Sequence, residues 1–239
     1  MSHQAGSFHR QQFFPLTPGV RRENGEERKG ISILQDGSGR EGRIFKYQQR
    51  EVPLMARRTP PRGTGSGGMN PRIEEAINEQ INAELYSAYL YLSMSSWFDS
   101  AGLKGFANWE RIQAMEERDH AMKFFDYIAA RGGRAVMKAI EAPPASWESP
   151  QQAFETQLAH ELTVTSLINN LVDLAIAEKD HATVNFLQWF VSEQVEEEEN
   201  ARDIRDQLSM ISQEKGAGLL YMLDREMGTR TYTPPGSTS

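Results

Sequence analysis

Apolar residues return every three or four positions along four long stretches of the chain, the spacing that lines one face of an α-helix. The first stretch steps through Ile77, Glu84, Tyr91 and Phe98, and the second through Phe106, Glu117, His120, Phe124 and Tyr127. A third runs Phe154, Leu158, Glu161, Thr165, Ile168, Val172, Ala175; the fourth runs Phe190, Gln194, Glu197, Ala201, Ile204, Leu208, Ile211. End signals bound them. Asn70 caps and Pro71 opens a helix over 71–99. After a break at Ala101-Gly102, a second helix covers 103–131 and stops at Gly132-Gly133. Ser149, Pro150 and Gln152 form a capping-box start for 150–178, and Asp180 caps 181–213. A short fifth helix fits 218–227, and the Thr/Pro/Gly/Ser tail beyond it is expected to fray.

Loop lengths convert these elements into a topology. Links of a few residues make the first and second helices antiparallel neighbours, and likewise the third and fourth. The link between the second and third takes about 17 residues, including Pro143-Pro144. A helix of ~28 residues is about 42 Å long, and about 17 extended residues reach about 56 Å. That link can therefore run the length of the bundle and leave the second and third helices parallel. The expected fold is all-α, a four-helix bundle with one long crossover and a short fifth helix.

Each apolar seam carries one carboxylate: Glu84, Glu117, Glu161 and Glu197. Each antiparallel pair sets its two at nearly the same height, so all four meet in mid-bundle. A lone buried carboxylate costs several kcal/mol or takes up a proton, and four converging ones call for a compensating cation. Glu117 and His120 have the Glu-x-x-His spacing that points two ligands inward from one helix. Oxygen-rich ligation with one imidazole suits iron or manganese better than zinc or copper, and Glu117 is best placed to bridge two ions. Glu116, Glu193 and Glu196 flank the seam and can hold a third ion. Tyr91 lies two turns from Glu84 and needs a partner for its hydroxyl, which the centre can supply. Glu178 and His181 repeat the Glu-x-x-His spacing at a helix end, where capping is the better reading. His160 points off the seam and reads as a surface residue, and Trp97, Trp109, Trp147 and Trp189 read as packing.

Charge divides the chain in two. Residues 1–68 hold 12 Lys/Arg and 6 Asp/Glu, a net of +6; the remainder of the 26 and 33 leaves 14 against 27, a net of −13, in 69–239. The first segment also holds 11 of the 19 glycines and reads as a basic, disordered extension ending in a linker from Arg57 to Gly68. Within it only 31–34 and 43–47 could make short strands. Absence of cysteine removes thiolate metal sites and disulfides from consideration. With no apolar run near the ~20 residues a membrane span needs and no signal-peptide pattern, a cytoplasmic protein without a membrane partner is expected.

The segments NEQINAELYSAYLYLS (78–93), EERDHAMKF (116–124), AHEL (159–162) and NFLQWFVSEQVEEE (185–198) resemble the non-haem prokaryotic ferritins over 69–227. The resemblance implies that Glu84, Glu117 and His120 bind one ferroxidase iron, and that Glu117, Glu161 and Glu197 bind the second with Gln194 close by. It matches Glu116, Glu193, Glu196 and Glu197 to a third iron site and Tyr91 to the family's tyrosine beside the centre. It further implies a 24-subunit shell that oxidises Fe²⁺ with O₂ or H₂O₂ and stores ferric mineral. Val164 and Asn200 stand where bacterioferritins have a second Glu-x-x-His, and Arg118 stands where they have a haem-binding methionine, so no haem is expected. Val184 and Leu187 match the acidic lining of the three-fold pore of animal ferritins, yet both are apolar.

Two other functions fit parts of this pattern: a di-iron peroxidase or rubrerythrin-like redox enzyme, and a DNA-protecting shell using the basic tail. The first lacks cysteines for a rubredoxin-like site; the second needs phosphate attraction from many tails at once, and a nucleic-acid partner is not expected. A chain beginning at Met69 is expected to assemble and oxidise iron as well as the full chain. Size-exclusion light scattering checks this: a truncated chain that stays dimeric while the full chain forms a large particle would make the extension an assembly element.

Overall fold

The computed structural model describes residues 68–214 and 216–234, apart from the side chains of 212–214. The basic extension and its proposed strands at 31–34 and 43–47 lie outside the described residues. Five helices follow in order: α1 (Pro71–Ser100), α2 (Lys104–Ala130), α3 (Pro150–Ala177), α4 (His181–Glu214) and α5 (Ala217–Met227). The fold is the expected all-α bundle with a short fifth helix. Its ends use the expected residues. The Asn70 side chain accepts from Arg72 N at 2.9 Å, Ser149 Oγ from Gln152 N at 3.1 Å, and Asp180 Oδ1 from Thr183 N at 3.1 Å. Glycine at 132 takes φ 73° to end α2, where Gly133 N reaches back to Ile128 O at 2.9 Å. Glu178 is held by Asn70 and Arg72, which fits its reading as a helix end rather than a ligand.

The crossover is legible in its hydrogen bonds to α1. Arg134 N donates to Glu74 Oε1 at 3.0 Å, Val136 N to Asn78 Oδ1 at 2.6 Å, and Asn82 Nδ2 to Ala139 O at 3.3 Å. Further on, Ser93 Oγ donates to Pro144 O at 2.5 Å, and Trp147 packs edge-on against Trp97. Rising numbers in the link meet rising numbers in α1, so the link travels with α1 to the end where α2 begins. Helix α3 therefore starts at that end and runs parallel to α2.

Two apolar cores fill the bundle. One holds Tyr91, Met94, Phe98, Phe106, Phe154 and Leu208 and is closed by Leu223 and Met227 of α5. The other holds Ile73, Ile77, Phe124, Ile168, Leu187 and Phe190. Leu187 is fully buried in this second core. Between the cores lies a layer that supplies Glu84 from α1, Glu117 and His120 from α2, Glu161 from α3, and Gln194 and Glu197 from α4.

The tail after α5 does not fray before Pro234, contrary to the expectation from its composition. Helix α2 has no capping side chain of its own; Asp224 Oδ1 of α5 accepts from Gly105 N at 2.8 Å and Phe106 N at 3.0 Å instead. The segment beyond then climbs α2: Asn108 Nδ2 donates to Arg230 O at 3.0 Å, and the Tyr232 hydroxyl donates to Asp119. Composition favoured fraying because the partners lie more than a hundred residues away in sequence.

A Cβ on Gly105 would stand 1.5 Å from the Asp224 carbonyl oxygen, with backbone on both sides. Gly105→Ala is therefore expected to dislodge α5 and destabilise the bundle by roughly 1–3 kcal/mol. Urea unfolding would give the magnitude, and proteolytic release of the C-terminal segment the location.

Candidate metal centre

The mid-bundle layer buries its ionisable groups almost completely. Glu84, Glu117 and Glu161 are 1–2% exposed and Glu197 6%, which excludes a solvated-face reading for all four. His120 and Gln194 are buried beside them, and Tyr91 is fully enclosed. Ligand atoms of Glu84, Glu117 and His120 all lie within 4.8 Å of one another, and Glu117 Oε2 is 3.4 Å from His120 Nδ1. Glu161 and Glu197 share the layer but do not join this three-residue group. They are drawn instead to neutral donors. Tyr91 donates its hydroxyl proton to Glu161 Oε1, Gln194 Nε2 donates to Glu161 Oε2 at 3.2 Å, and Gln113 Nε2 donates to Glu197 Oε2 at 2.7 Å.

Burial is the largest influence on every carboxyl in the layer. It pushes Glu84 up from the usual 4.5 to about 8, reinforced by the Glu117 charge. Glu117, Glu161 and Glu197 rise for the same reason; the other carboxyls push Glu117 further, and hydrogen bonds from Tyr91 and Gln194 temper Glu161. Tyr91 is raised by burial and by the Glu161 charge. Glu84 Oε1 accepts from Gln80 Nε2 at 2.9 Å, but its Oε2 is buried without a hydrogen-bond partner. An orphaned carboxylate oxygen facing a second carboxylate and an imidazole is a donor set that fits a hard or borderline divalent cation.

The flanking carboxylates are separated by exposure. Glu116 and Glu193 are half-buried, and burial raises both; Glu196 is exposed. Glu116 adjoins Glu117 on α2 and Glu193 stands one turn before Glu197 on α4, which sets both beside the centre. Glu116 already has a partner, because Arg230 Nη2 donates to its Oε2 at 2.7 Å.

Two residues depart from the expected pattern. His160 is half-buried rather than free on the surface: its Nε2 lies 2.7 Å from Ser87 Oγ, its ring meets Tyr91 edge-on at 6.0 Å, and burial pushes its imidazole down to about 4. Its place on a helix wheel hid the fact that α1 covers that side of α3. Glu110 is a fifth carboxylate in the interior, 0% exposed, with both oxygens unpartnered and burial holding it well above the carboxylate range. Stepping from Phe106 by four and then three reaches Glu110 and Gln113 before Glu117, so the periodicity contained this signal.

The family model for the ferritin-like domain matches residues 74–211. This chain belongs to the ferritin family. The ferritin resemblance is to the non-haem proteins of bacteria and archaea. The bacterial non-heme ferritin of Bacteroides fragilis is 43% identical over 162 residues, covering 68% of this chain and 99% of that protein. A probable bacterial non-heme ferritin-like protein of Haemophilus influenzae is 41% identical over 160 residues, 67% of this chain and 96% of its own. Among solved structures, an engineered closed form of the Archaeoglobus fulgidus ferritin gives a TM-score of 0.68 at 54% identity, over 70% of this chain and 100% of that one. The open-pore ferritin of the same archaeon gives 0.67 at 54% identity, over 69% and 100%.

The raised carboxyls make a signed prediction for this ferritin's stability. A carboxyl whose folded pKa exceeds its unfolded value stabilises fully below about 4.5, and that contribution is lost as pH rises through the folded value, about 8 for Glu84. The imidazole of His160 works the other way, but only below its unfolded value of 6.5. From pH 6.5 to 8.5 the metal-free protein should therefore lose thermal stability, and an added divalent cation should reverse the loss. Calorimetry in chelator with and without added metal checks both halves.

Proposed function

We propose that this chain is an iron-storage ferroxidase whose substrate, Fe²⁺, is bound and oxidised in the mid-bundle layer. The observation that carries the reading is the group of Glu84, Glu117 and His120, within ligand range of one another and buried between two apolar cores. The names of the relatives support it: one is a bacterial non-heme ferritin and another a probable bacterial non-heme ferritin-like protein.

In this reading Glu84 and His120 hold one iron, Glu117 lies between the two, and Glu161 and Glu197 turn from Tyr91 and Gln113 to hold the second. Protons that burial keeps on these carboxyls leave as the cations arrive. Two Fe²⁺ give up two electrons, and O₂ with two protons becomes H₂O₂; with H₂O₂ as oxidant, two protons and the same two electrons give two waters. Gln194 keeps Glu161 oriented. Glu116, Glu193 and Glu196, with Glu197, form an outer site for a third iron beside His120. With a third Fe²⁺ in that outer site, three irons and Tyr91, which is hydrogen-bonded to Glu161 and would lose its phenol proton to it, together supply the four electrons that with four protons reduce O₂ to two waters. Tyr89, Leu92, Met122 and Phe125 leave apolar surface on α1 and α2, as contacts within a 24-subunit shell require. No helix among the described residues is long and apolar enough to cross a membrane. The basic segment 1–68 is assigned to a separate extension ahead of the bundle, 69–239.

Glu117→Ala should slow Fe²⁺ oxidation by about 100-fold or more, while circular dichroism still reports a folded bundle. Stopped-flow oxidation at the wild-type rate would remove the assignment. Iron retained per protein after aerobic loading separates storage from a di-iron peroxidase, which turns over without accumulating mineral.

A further inference from the structure

The segment after α5 carries one cation into the outer carboxylates. Arg230 Nη2 donates to Glu116 Oε2 at 2.7 Å, Arg230 Nη1 donates to Gln113 Oε1, and the guanidinium lies 4.1 Å over the Trp109 ring. The side chains of Arg230 and Glu116 are 21% and 24% exposed, so solvent screens this pair far less than a surface ion pair. Gln113 relays the contact inward. Its Oε1 accepts from Arg230 while its Nε2 donates to Glu197, which leaves Arg230 two hydrogen bonds from a candidate iron ligand. The same guanidinium supplies the favourable charge acting on buried Glu110.

Anchoring the segment does not depend on these contacts. Asp224 caps α2, Asn108 holds the Arg230 carbonyl, and Tyr232 holds Asp119. Those three would keep the backbone on α2 whatever side chain stood at 230. What Arg230 adds is a positive charge on an oxygen that a metal ion would otherwise use.

We propose that Arg230 is a tethered counter-ion of the outer iron site, competing with the iron substrate for Glu116 and withdrawing when the cation binds. This rests on the outer-site reading given above. One oxygen cannot take both a guanidinium N–H and a metal ion at full strength, so the bound arginine weakens the outer site relative to the inner centre. Divalent iron then fills the inner pair first. Occupation of the outer site releases the fork from Glu116 and frees the Gln113 amide, loosening the donor that draws Glu197 away from the centre.

Anaerobic calorimetric titration of the full, assembled chain with Zn²⁺, a redox-inactive divalent probe, tests this without reference to activity. Arg230→Gln should bind the outer cation about tenfold tighter than wild type, the scale of one charge-assisted hydrogen bond lost to the competitor. Inner binding should be retained and no weaker than in wild type, since the Gln113 amide that draws Glu197 away is loosened in this variant. Arg230→Lys, which keeps the charge without the fork, should fall between the two and serves as a second variant if the glutamine chain folds poorly. Outer affinity in Arg230→Gln equal to or weaker than wild type, with inner binding intact, overturns the proposal and makes Arg230 a strut. Loss of inner binding is the signature of Glu117→Ala. If wild type shows no inner binding for that variant to lose, the ferroxidase reading itself fails, and this inference with it.

Discussion

Everything in this bundle is arranged around a layer of carboxyls that the protein has removed from water without giving them enough donors. Glu84, Glu117, Glu161 and Glu197 sit between two apolar cores. Burial in such surroundings disfavours their ionised forms more strongly than any single neighbour does. The layer is held in readiness by neutral side chains: Gln80 on Glu84, Gln194 and Tyr91 on Glu161, and Gln113 on Glu197. Amide and phenol donors steady the oxygens yet are displaced more easily than a fixed positive charge would be. The two cores supply the folding free energy that lets a costly polar layer persist, so the cation site and the stability of the fold oppose each other.

The C-terminal segment modifies that balance from outside the four-helix frame. Helix α5 is locked onto the start of α2 by backbone contact at Gly105 and by the Asp224 cap. Because α2 also carries Glu110, Gln113, Glu116 and Glu117, a chain laid along it runs past half of the polar layer. Arg230 reaches that layer only because three independent contacts set the path. The positive charge it brings is local, set on the one carboxylate Glu116.

Much of this was legible in the chain itself. Three-to-four stepping located α1 to α4 to within a residue or two, since a helix buried on one face must repeat apolar residues at its own pitch. Asn70, Ser149, Asp180 and Gly132 marked ends because capping is a short-range interaction between residues a few positions apart. The four seam carboxylates followed from the same stepping, and so did Glu110, which becomes visible once the gap between Phe106 and Glu117 is filled. Loop length alone carried the crossover.

Contacts between residues distant in sequence were not legible. Periodicity says which face of a helix is buried, but not what covers it. His160 read as exposed until α1 laid Ser87, Tyr86 and Tyr91 against it. A tail rich in threonine and proline has no local reason to be ordered; its order comes from Asn108, Trp109 and Asp119, on a helix formed more than a hundred residues earlier. The sequence by itself determined the helices, their order and the carboxylates that converge, because those depend on local pitch and chain reach. Tertiary structure alone decided which carboxylates are grouped, which are held apart by neutral donors, and which one is matched to an arginine, because those depend on side chains that only folding brings within hydrogen-bonding distance.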